Sequence, residues 1–127
     1  MSTFCIFSCD NDNFAIEVAS VLEIIEVTRI HQIPKAPTYI NGLVNHRGKI
    51  IPVFDIRVVL SIKKTGTITH VVITAYNNIL LGFAAEKCPA TVHSISFQNK
   101  SGDEIIKGIY NNLKLINLEK IIKEYKI

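Results

Sequence analysis

The sequence has few cysteines, no long apolar run and no visible leader, and each absence argues against a class of protein. Its three cysteines, Cys5, Cys9 and Cys88, are an odd number, which is typical of reduced thiols in the cytoplasm. No apolar stretch approaches the roughly 20 residues of a transmembrane helix, and the N-terminus lacks the basic and apolar regions of a signal peptide. We therefore expect a cytoplasmic protein without direct membrane insertion.

Clusters of like charge are also missing. The chain has 14 lysines and arginines against 11 acidic residues, but the basic residues are scattered along it. A nucleic-acid-binding domain concentrates its basic residues on one face, often with stacking aromatic residues between them. We expect no nucleic-acid partner, and a small-barrel nucleic-acid binder is kept only as a less favoured alternative.

Motifs for catalysis and metal binding are absent as well. The sequence contains no P-loop, no dinucleotide fingerprint, no H-E-x-x-H and no G-x-S-x-G pattern. Asp10 and Asp12 resemble the start of a calcium loop, but Phe14 stands where a ligand is needed. We expect no enzymatic activity, no cofactor and no metal, and a protein that works by binding.

The abundant residues are aliphatic and β-branched, with 48% hydrophobic residues and 20% charged ones. Short apolar segments alternate with turn residues, which predicts a mainly β fold. Arg47 with Gly48 and Asn77 with Asn78 are predicted two-residue hairpin turns. Gly42 and Gly48 are expected to serve backbone geometry, and Gly48 is expected to adopt a positive φ.

Two short helices are predicted from their capping residues. Asp55 is a predicted N-cap for a helix from Ile56 to Leu60, and Asn117 for a helix at the C-terminus. The C-terminal helix has one apolar face with i, i+3, i+4, i+7 spacing. That face consists of Leu118, Ile121, Ile122 and Tyr125.

A weak internal repeat suggests two similar lobes. The order glycine, strand, turn, strand, cap, helix begins once at Gly42 and again at Gly108. Short strands with regular turns favour barrels over one open sheet. We expect a single domain over residues 1–127, with a first lobe at roughly 14–66 and a second at roughly 67–127, and an N-terminal strand that both could share.

Residues Val21 to Arg57 read VLEIIEVTRIHQIPKAPTYINGLVNHRGKIIPVFDIR. This stretch resembles the CheW-like family through a V-x-E-I segment, a proline-containing connector, N-x-R-G, an I-I-P-V strand and D-[LI]-R. Weaker agreement continues through residues 70–85 and 105–122.

The resemblance implies two small, SH3-like five-stranded β-barrels packed around a shared apolar core. It also implies a coupling protein that holds the histidine kinase CheA, through its regulatory domain, to the cytoplasmic tip of methyl-accepting chemoreceptors. A CheW-like module of a larger chemotaxis protein, either a coupling–receiver fusion or the kinase's regulatory domain, is the alternative. The oligomeric state is left open.

Four residues are candidate receptor contacts by the resemblance. Arg47 is expected to line a receptor groove between the lobes; an exposed hairpin tip and an ion pair that holds the lobes are the alternatives. Glu23 interrupts an apolar run, so we expect it to pair with Arg47. Val21 and Ile24 are candidates for apolar receptor contact, with barrel core as the alternative.

The sequence departs from the family pattern at three places. His46 replaces the usual leucine of N-L-R-G, and residues 85–89 differ from the usual V-D-x-V run. The connector from Phe97 to Ile105 is short. In many relatives this segment supplies part of a contact within rings of alternating coupling protein and kinase regulatory domain, and the sequence leaves open whether that contact exists here.

Overall fold

Strands dominate the computed structural model, which describes residues 3–64, 66–93, 95–99 and 104–125. The strands are β1 (Thr3–Cys9), β2 (Asp12–Glu17), β3 (Val21–Glu26), β4 (Ile40–His46), β5 (Lys49–Phe54), β6 (His70–Tyr76), β7 (Ile79–Ala85), β8 (Lys87–His93), β9 (Gln98–Asn99), β10 (Ile106–Tyr110) and β11 (Leu113–Ile116). The helices are α1 (Ile56–Val59) and α2 (Leu118–Glu124), with a 3-10 helix at Val18–Ser20. The predicted mainly β class with short helices is confirmed. Residues 100–103 of the short connector lie outside the described residues.

The strands form two sheets. One has the order β3-β6-β7-β5-β4, and the other has the order β8-β1-β2-β11-β10-β9, in which two-residue β9 adds a short sixth strand. The five-stranded sheet is formed by one continuous stretch of chain. In the sequence, strands of the six-stranded sheet precede and follow this stretch.

The sheets divide the chain differently from the lobes that the sequence suggested. A boundary near residue 66 assigned β6 and β7 to the second lobe. Antiparallel pairing with β3, from Val21–Thr74 to Glu26–His70, instead places β6 in the five-stranded sheet, and β7 pairs with β6 along its whole length. β2 lies beside β1 in the six-stranded sheet.

The two sheets share an apolar core, as predicted. In β1, Phe7 and Cys5 belong to the shared cluster, whereas Phe4 and Ile6 belong to a cluster within the six-stranded sheet. β6 divides in the same way, with Val72 in the shared core. Because successive side chains of a strand point to opposite faces, a strand covered on both faces is a continuous apolar run.

Aromatic rings join the sheets at the centre of this core. Phe7 of β1 stacks on Phe14 with ring centroids 5.4 Å apart, and lies 5.9 Å from Phe83 of β7. Phe83 in turn contacts Phe54 of β5 edge-on at 5.9 Å. All four side chains are fully buried, so this chain of contacts fixes the two sheets against each other.

A buried charged network lies where the chain passes between the sheets. Asp55 caps α1 as predicted, accepting from the backbone N–H of Arg57 at 3.1 Å. The Arg57 guanidinium donates to both Asp55 oxygens at 2.9 Å and to Glu86 Oε2 at 2.9 Å. The other Glu86 oxygen accepts from the backbone N–H of Asp10 at 2.7 Å. Glu86 comes from the segment that departs from the family pattern.

The C-terminal helix docks on the shared core through the predicted face. Asn117 caps it by accepting from the backbone N–H of Lys120 at 3.2 Å. Leu118, Ile121 and Ile122 are buried in the shared cluster, and Tyr125 packs against it.

Candidate docking site at the mouth of the five-stranded sheet

A cavity of about 390 Å³ opens at one end of the five-stranded sheet, and the predicted pair Glu23 and Arg47 stands on its rim. We call it the Glu23 cavity. It is lined by Leu22, Glu23, His46, Arg47, Lys49, Ile51, Ile73 and Leu80. All of these residues belong to the five-stranded sheet or to its β4–β5 hairpin turn. The cavity therefore lies at one end of this sheet and not between the two sheets.

The Glu23 carboxylate lies between two basic side chains. Its Oε2 atom contacts His46 Nε2 directly and lies 3.6 Å from Arg47 Nε. The pair that the sequence predicted between Glu23 and Arg47 is present, although 3.6 Å is an ion-pair distance that is too long for a hydrogen bond. His46 was missed as a partner, and its signal was the replacement of an apolar family residue by an ionisable one.

Arg47 remains accessible despite this pairing. Its side chain is 78% exposed, whereas His46 is 21% exposed. Within the described part of the chain, Glu23 is the only acidic partner of Arg47. The guanidinium therefore keeps donors that a docking molecule can reach.

The floor of the Glu23 cavity is apolar. Ile51 and Ile73 are 1% exposed and belong to the core of the five-stranded sheet, and Leu80 packs against that core. A charged rim over an aliphatic floor is the usual composition of a site that anchors an apolar group and orients it through a few polar contacts.

The two predicted apolar contacts on β3, Val21 and Ile24, lie in different environments. Val21 packs against the shared core, whereas Ile24 is 41% exposed. Leu22, which the sequence did not single out, is 60% exposed and lines the cavity beside Glu23. The pairing of β3 with β6 shifts register between Val21 and Glu23, and a bulge of this kind re-aims side chains that strict alternation would place elsewhere.

The turn that carries Arg47 has an unusual residue at its first position. Among the residues that the structure describes, four hairpins close with two-residue loops, and each first loop residue has a positive φ. Three of these residues, Asp10, Asn77 and Asn111, are of the types that tolerate this conformation. Arg47, at φ 54°, is the exception, followed by Gly48 at φ 79°. Strain at a non-glycine residue is commonly found at functional sites.

Gly42 and Asp55 lie outside the Glu23 cavity and serve the fold. A Cβ atom on Gly42 would lie 2.4 Å from the carbonyl oxygen of His31. That close approach lets His31 and Leu43 exchange backbone hydrogen bonds at 2.7 and 3.1 Å, which ties the proline-containing connector to β4. Asp55 is 1% exposed and caps α1.

A larger cavity of about 740 Å³ lies between the β1–β2 turn, the segment after α1 and helix α2. Its charged side chains include the pairs Asp12–Lys114 and Lys120–Glu124. Among the residues that the structure describes, no group of three or more potential ligands could hold a metal ion.

The cysteines have the character of structural thiols. Burial raises the pKa of Cys9 and of Cys88 to about 12, and it also raises the pKa of Cys5. A nucleophile or metal ligand needs the thiolate form, which burial in apolar surroundings disfavours. In the described ranges, no helix has both the length and the apolar character to cross a membrane.

Comparison with known proteins agrees with this architecture. The family model described as a CheW-like domain matches residues 3–124. The chemotaxis protein CheW of Helicobacter pylori is 26% identical over 83 residues, which cover 64% of this chain and 50% of the relative. The chemotaxis protein CheW of Bacillus subtilis is 25% identical over 123 residues, which cover 94% of this chain and 75% of the relative. The chain thus spans about half the length of the first relative and three quarters of the second.

The fold is also similar to a solved one. The crystal structure of the scaffolding protein TtCheW from Thermoanaerobacter tengcongensis matches with a TM-score of 0.81 at 22% identity, covering 92% of this chain and 84% of that one. Since the family model covers nearly all of the sequence, the chain belongs to the CheW-like domain family.

Proposed function

We propose that this chain is a chemotaxis coupling protein that joins the histidine kinase CheA to the cytoplasmic tip of methyl-accepting chemoreceptors. It acts as a cytoplasmic scaffold of one domain over residues 1–127 and catalyses no reaction itself. Family membership and the names of its relatives support the proposal. The observation that carries it is the Glu23 cavity, where the N-x-R-G hairpin and the V-x-E-I strand meet over an apolar floor.

The receptor tip that the family resemblance implies is a helical hairpin, and the Glu23 cavity suits an apolar side chain from one of its helices. Helix-in-groove recognition uses apolar anchors from one helical face together with flanking polar contacts. Leu22 lines the cavity, and Ile24 exposes a further apolar side chain on the same strand. Glu23 and Arg47 are therefore assigned to receptor binding, together with Ile24, whereas Val21 supports the site from the core side.

The kinase regulatory domain is assigned to the sheet edges. β3 and β4 are the outer strands of one sheet, and β8 and β9 are those of the other. Edge strands present unpaired backbone groups, which a partner of the same fold can use for pairing. Of these edges, β8 and β9 carry no residue that lines the Glu23 cavity, so a kinase domain at either one leaves the receptor site free, as a coupling protein requires.

The test is a quantitative pull-down of the full chain with a CheA regulatory domain and, separately, with a receptor signalling-tip fragment. Arg47→Ala and Glu23→Ala are compared with Lys123→Ala, a remote exposed cation on α2. We expect binding to both partners, with receptor binding selectively reduced in the first two variants. A well-folded chain that binds neither partner would mean that this fold serves another purpose here.

A further inference from the structure

The rim of the Glu23 cavity carries more positive than negative groups. Arg47 and Lys49 are cations, and Glu23 is the only carboxylate among the lining residues. The groups that face this rim from β6 and β7, Ile73 and Leu80, carry no charge. An occupant of the cavity therefore meets an excess of basic side chains around an apolar floor.

Resting on the proposed function, we propose that the cavity receives a helical segment with one large apolar side chain and a carboxylate within one turn of it. The apolar side chain enters the cavity, and the carboxylate binds Arg47. A volume of about 390 Å³ is at the lower end of the roughly 300–1,000 Å³ range of ligand pockets, which fits one inserted side chain better than a whole helix. Charge complementarity then orients the segment.

His46 is the specificity-determining residue in this arrangement. It contacts the same Glu23 oxygen that Arg47 approaches, and its contact is the closer of the two. By engaging Glu23, His46 leaves the Arg47 guanidinium able to bind an external carboxylate. If position 46 held an apolar residue, Glu23 would keep Arg47 but lose His46 as a basic partner. Arg47 would then be less available to an external carboxylate.

The backbone of Arg47 gives independent support. Arginine has no conformational advantage at φ 54°, where the other three two-residue hairpins use Asp or Asn. The side chain also does little for the fold, since it is 78% exposed and makes no hydrogen bond to a described residue. Lys35 and Ser61 also have positive φ, so the conformation supports the proposal only together with the exposed guanidinium, which is free to bind a group outside the chain.

The experiment measures the affinity of the full chain for a receptor signalling-tip fragment and for variants of that fragment. In each variant, one Glu or Asp near the turn of the helical hairpin is changed to Gln or Asn. The readout is the ratio of acidic-tip to amide-tip affinity, because this ratio is unaffected by a general gain or loss of apolar contact. For the unmodified chain we expect a ratio of roughly five for at least one tip carboxylate.

The variants are expected to change the ratio of acidic-tip to amide-tip affinity in opposite directions. Arg47→Gln should bring the ratio close to one, and His46→Leu should reduce it, since Glu23 then engages Arg47 fully. Glu23→Gln should raise the ratio by releasing Arg47, although the total affinity for the tip falls as it does for Glu23→Ala, while Lys123→Ala should leave the ratio unchanged. Circular dichroism of each variant confirms that it is folded.

Two results would overturn the inference in distinguishable ways. If the tip binds but every amide variant binds equally well, or if His46→Leu leaves the ratio unchanged, the carboxylate contact is refuted and the coupling function stands. If the folded chain does not bind the tip at all, the receptor half of the proposed function falls and this inference falls with it.

Discussion

Arg57 Nη1 lies 2.9 Å from Glu86 Oε2, and this contact joins helix α1 to the single residue between β7 and β8, where the chain leaves the five-stranded sheet. The same guanidinium holds both oxygens of Asp55. One arginine therefore neutralises carboxylates from two different parts of the chain in a buried position. Removing it would leave Asp55 and Glu86 buried without their cation.

We predict that Arg57→Leu lowers the free energy of unfolding by about 3–5 kcal/mol, because breaking a buried ion pair leaves an uncompensated charge. Urea unfolding followed by circular dichroism measures the loss. Arg29→Leu, at an exposed position, is the matched control. If the variant fails to fold, Arg57→Lys, which keeps the charge without the bidentate geometry, should show a smaller loss. Equal stabilities for the Arg57→Leu and Arg29→Leu proteins would contradict the prediction.

Asp55 should make stability depend on acidity. Burial acts to raise the pKa of Asp55, but hydrogen bonds from Arg57 and Asn41 and the charge of Arg57 outweigh it and lower the pKa. A carboxylate with a lower pKa in the folded state stabilises the fold above its unfolded pKa of about 3.9 and loses this effect as the pH falls through the folded value. Asp55→Asn should therefore flatten the stability profile below about pH 4. Urea midpoints at three acidic pH values test this, and parallel profiles would count against it.

Arg47→Asn should leave the fold intact or stabilise it. Asparagine tolerates the left-handed conformation of this turn, so the unfolding free energy should rise by about 0.5–1 kcal/mol. Binding to the receptor tip should fall at the same time, which separates a binding role from a structural one. A clear loss of stability would instead mean that the ion pair with Glu23 supports the hairpin.

Two glycines of the same hairpin should respond differently to alanine. Gly42→Ala would drive a Cβ atom against the His31 carbonyl, so we expect a loss of about 2 kcal/mol from displaced backbone. Gly48→Ala meets no atom within 4 Å, and only its φ of 79° is unfavourable, so we expect about 1 kcal/mol. Thermal unfolding of the two variants decides the order, and a larger loss at Gly48 would reverse the reasoning.

The thiols of buried Cys9 and half-buried Cys88 should resist alkylation in the folded chain. With a pKa of about 12, Cys9 and Cys88 are protonated at neutral pH, and the thiolate is the form that reacts. Iodoacetamide labelling followed by mass spectrometry should be far slower for the native protein than in urea. Rapid native labelling of Cys9, whose side chain is fully buried, would contradict the burial described here.

Local features could be predicted well from the sequence. The predicted turns at 47–48 and 77–78 form because Gly48, Asn77 and Asn78, which tolerate positive φ, stand between apolar runs. Asp55 and Asn117 cap their helices because their side chains accept from backbone N–H groups two or three residues on. These interactions involve neighbours in sequence, so the sequence records them directly.

Long-range pairing could not be predicted in the same way. Nothing in residues 70–85 specifies whether this hairpin pairs with β3 or with β11, because both faces of β6 and β7 are apolar. Glu86 and His46 stood out only as departures from a family pattern. Their partners Arg57 and Glu23 lie far away in the chain, and charge alone does not select among acidic and basic residues.

The nested arrangement of the sheets has a consequence for the order of folding. The five-stranded sheet contains two hairpins of short sequence separation, β4–β5 and β6–β7, and such local contacts form early. Pairing of β1 with β8 brings Phe4 next to Val92, which lies most of the chain away in sequence. Forming this pair from the unfolded chain costs the entropy of closing a long loop. Once the five-stranded sheet has formed, its first strand β3 and its last strand β7 both pair with β6, which shortens that loop. We infer that the unit that carries the Glu23 cavity forms first, and that it serves as the template on which the two ends of the chain assemble the other sheet.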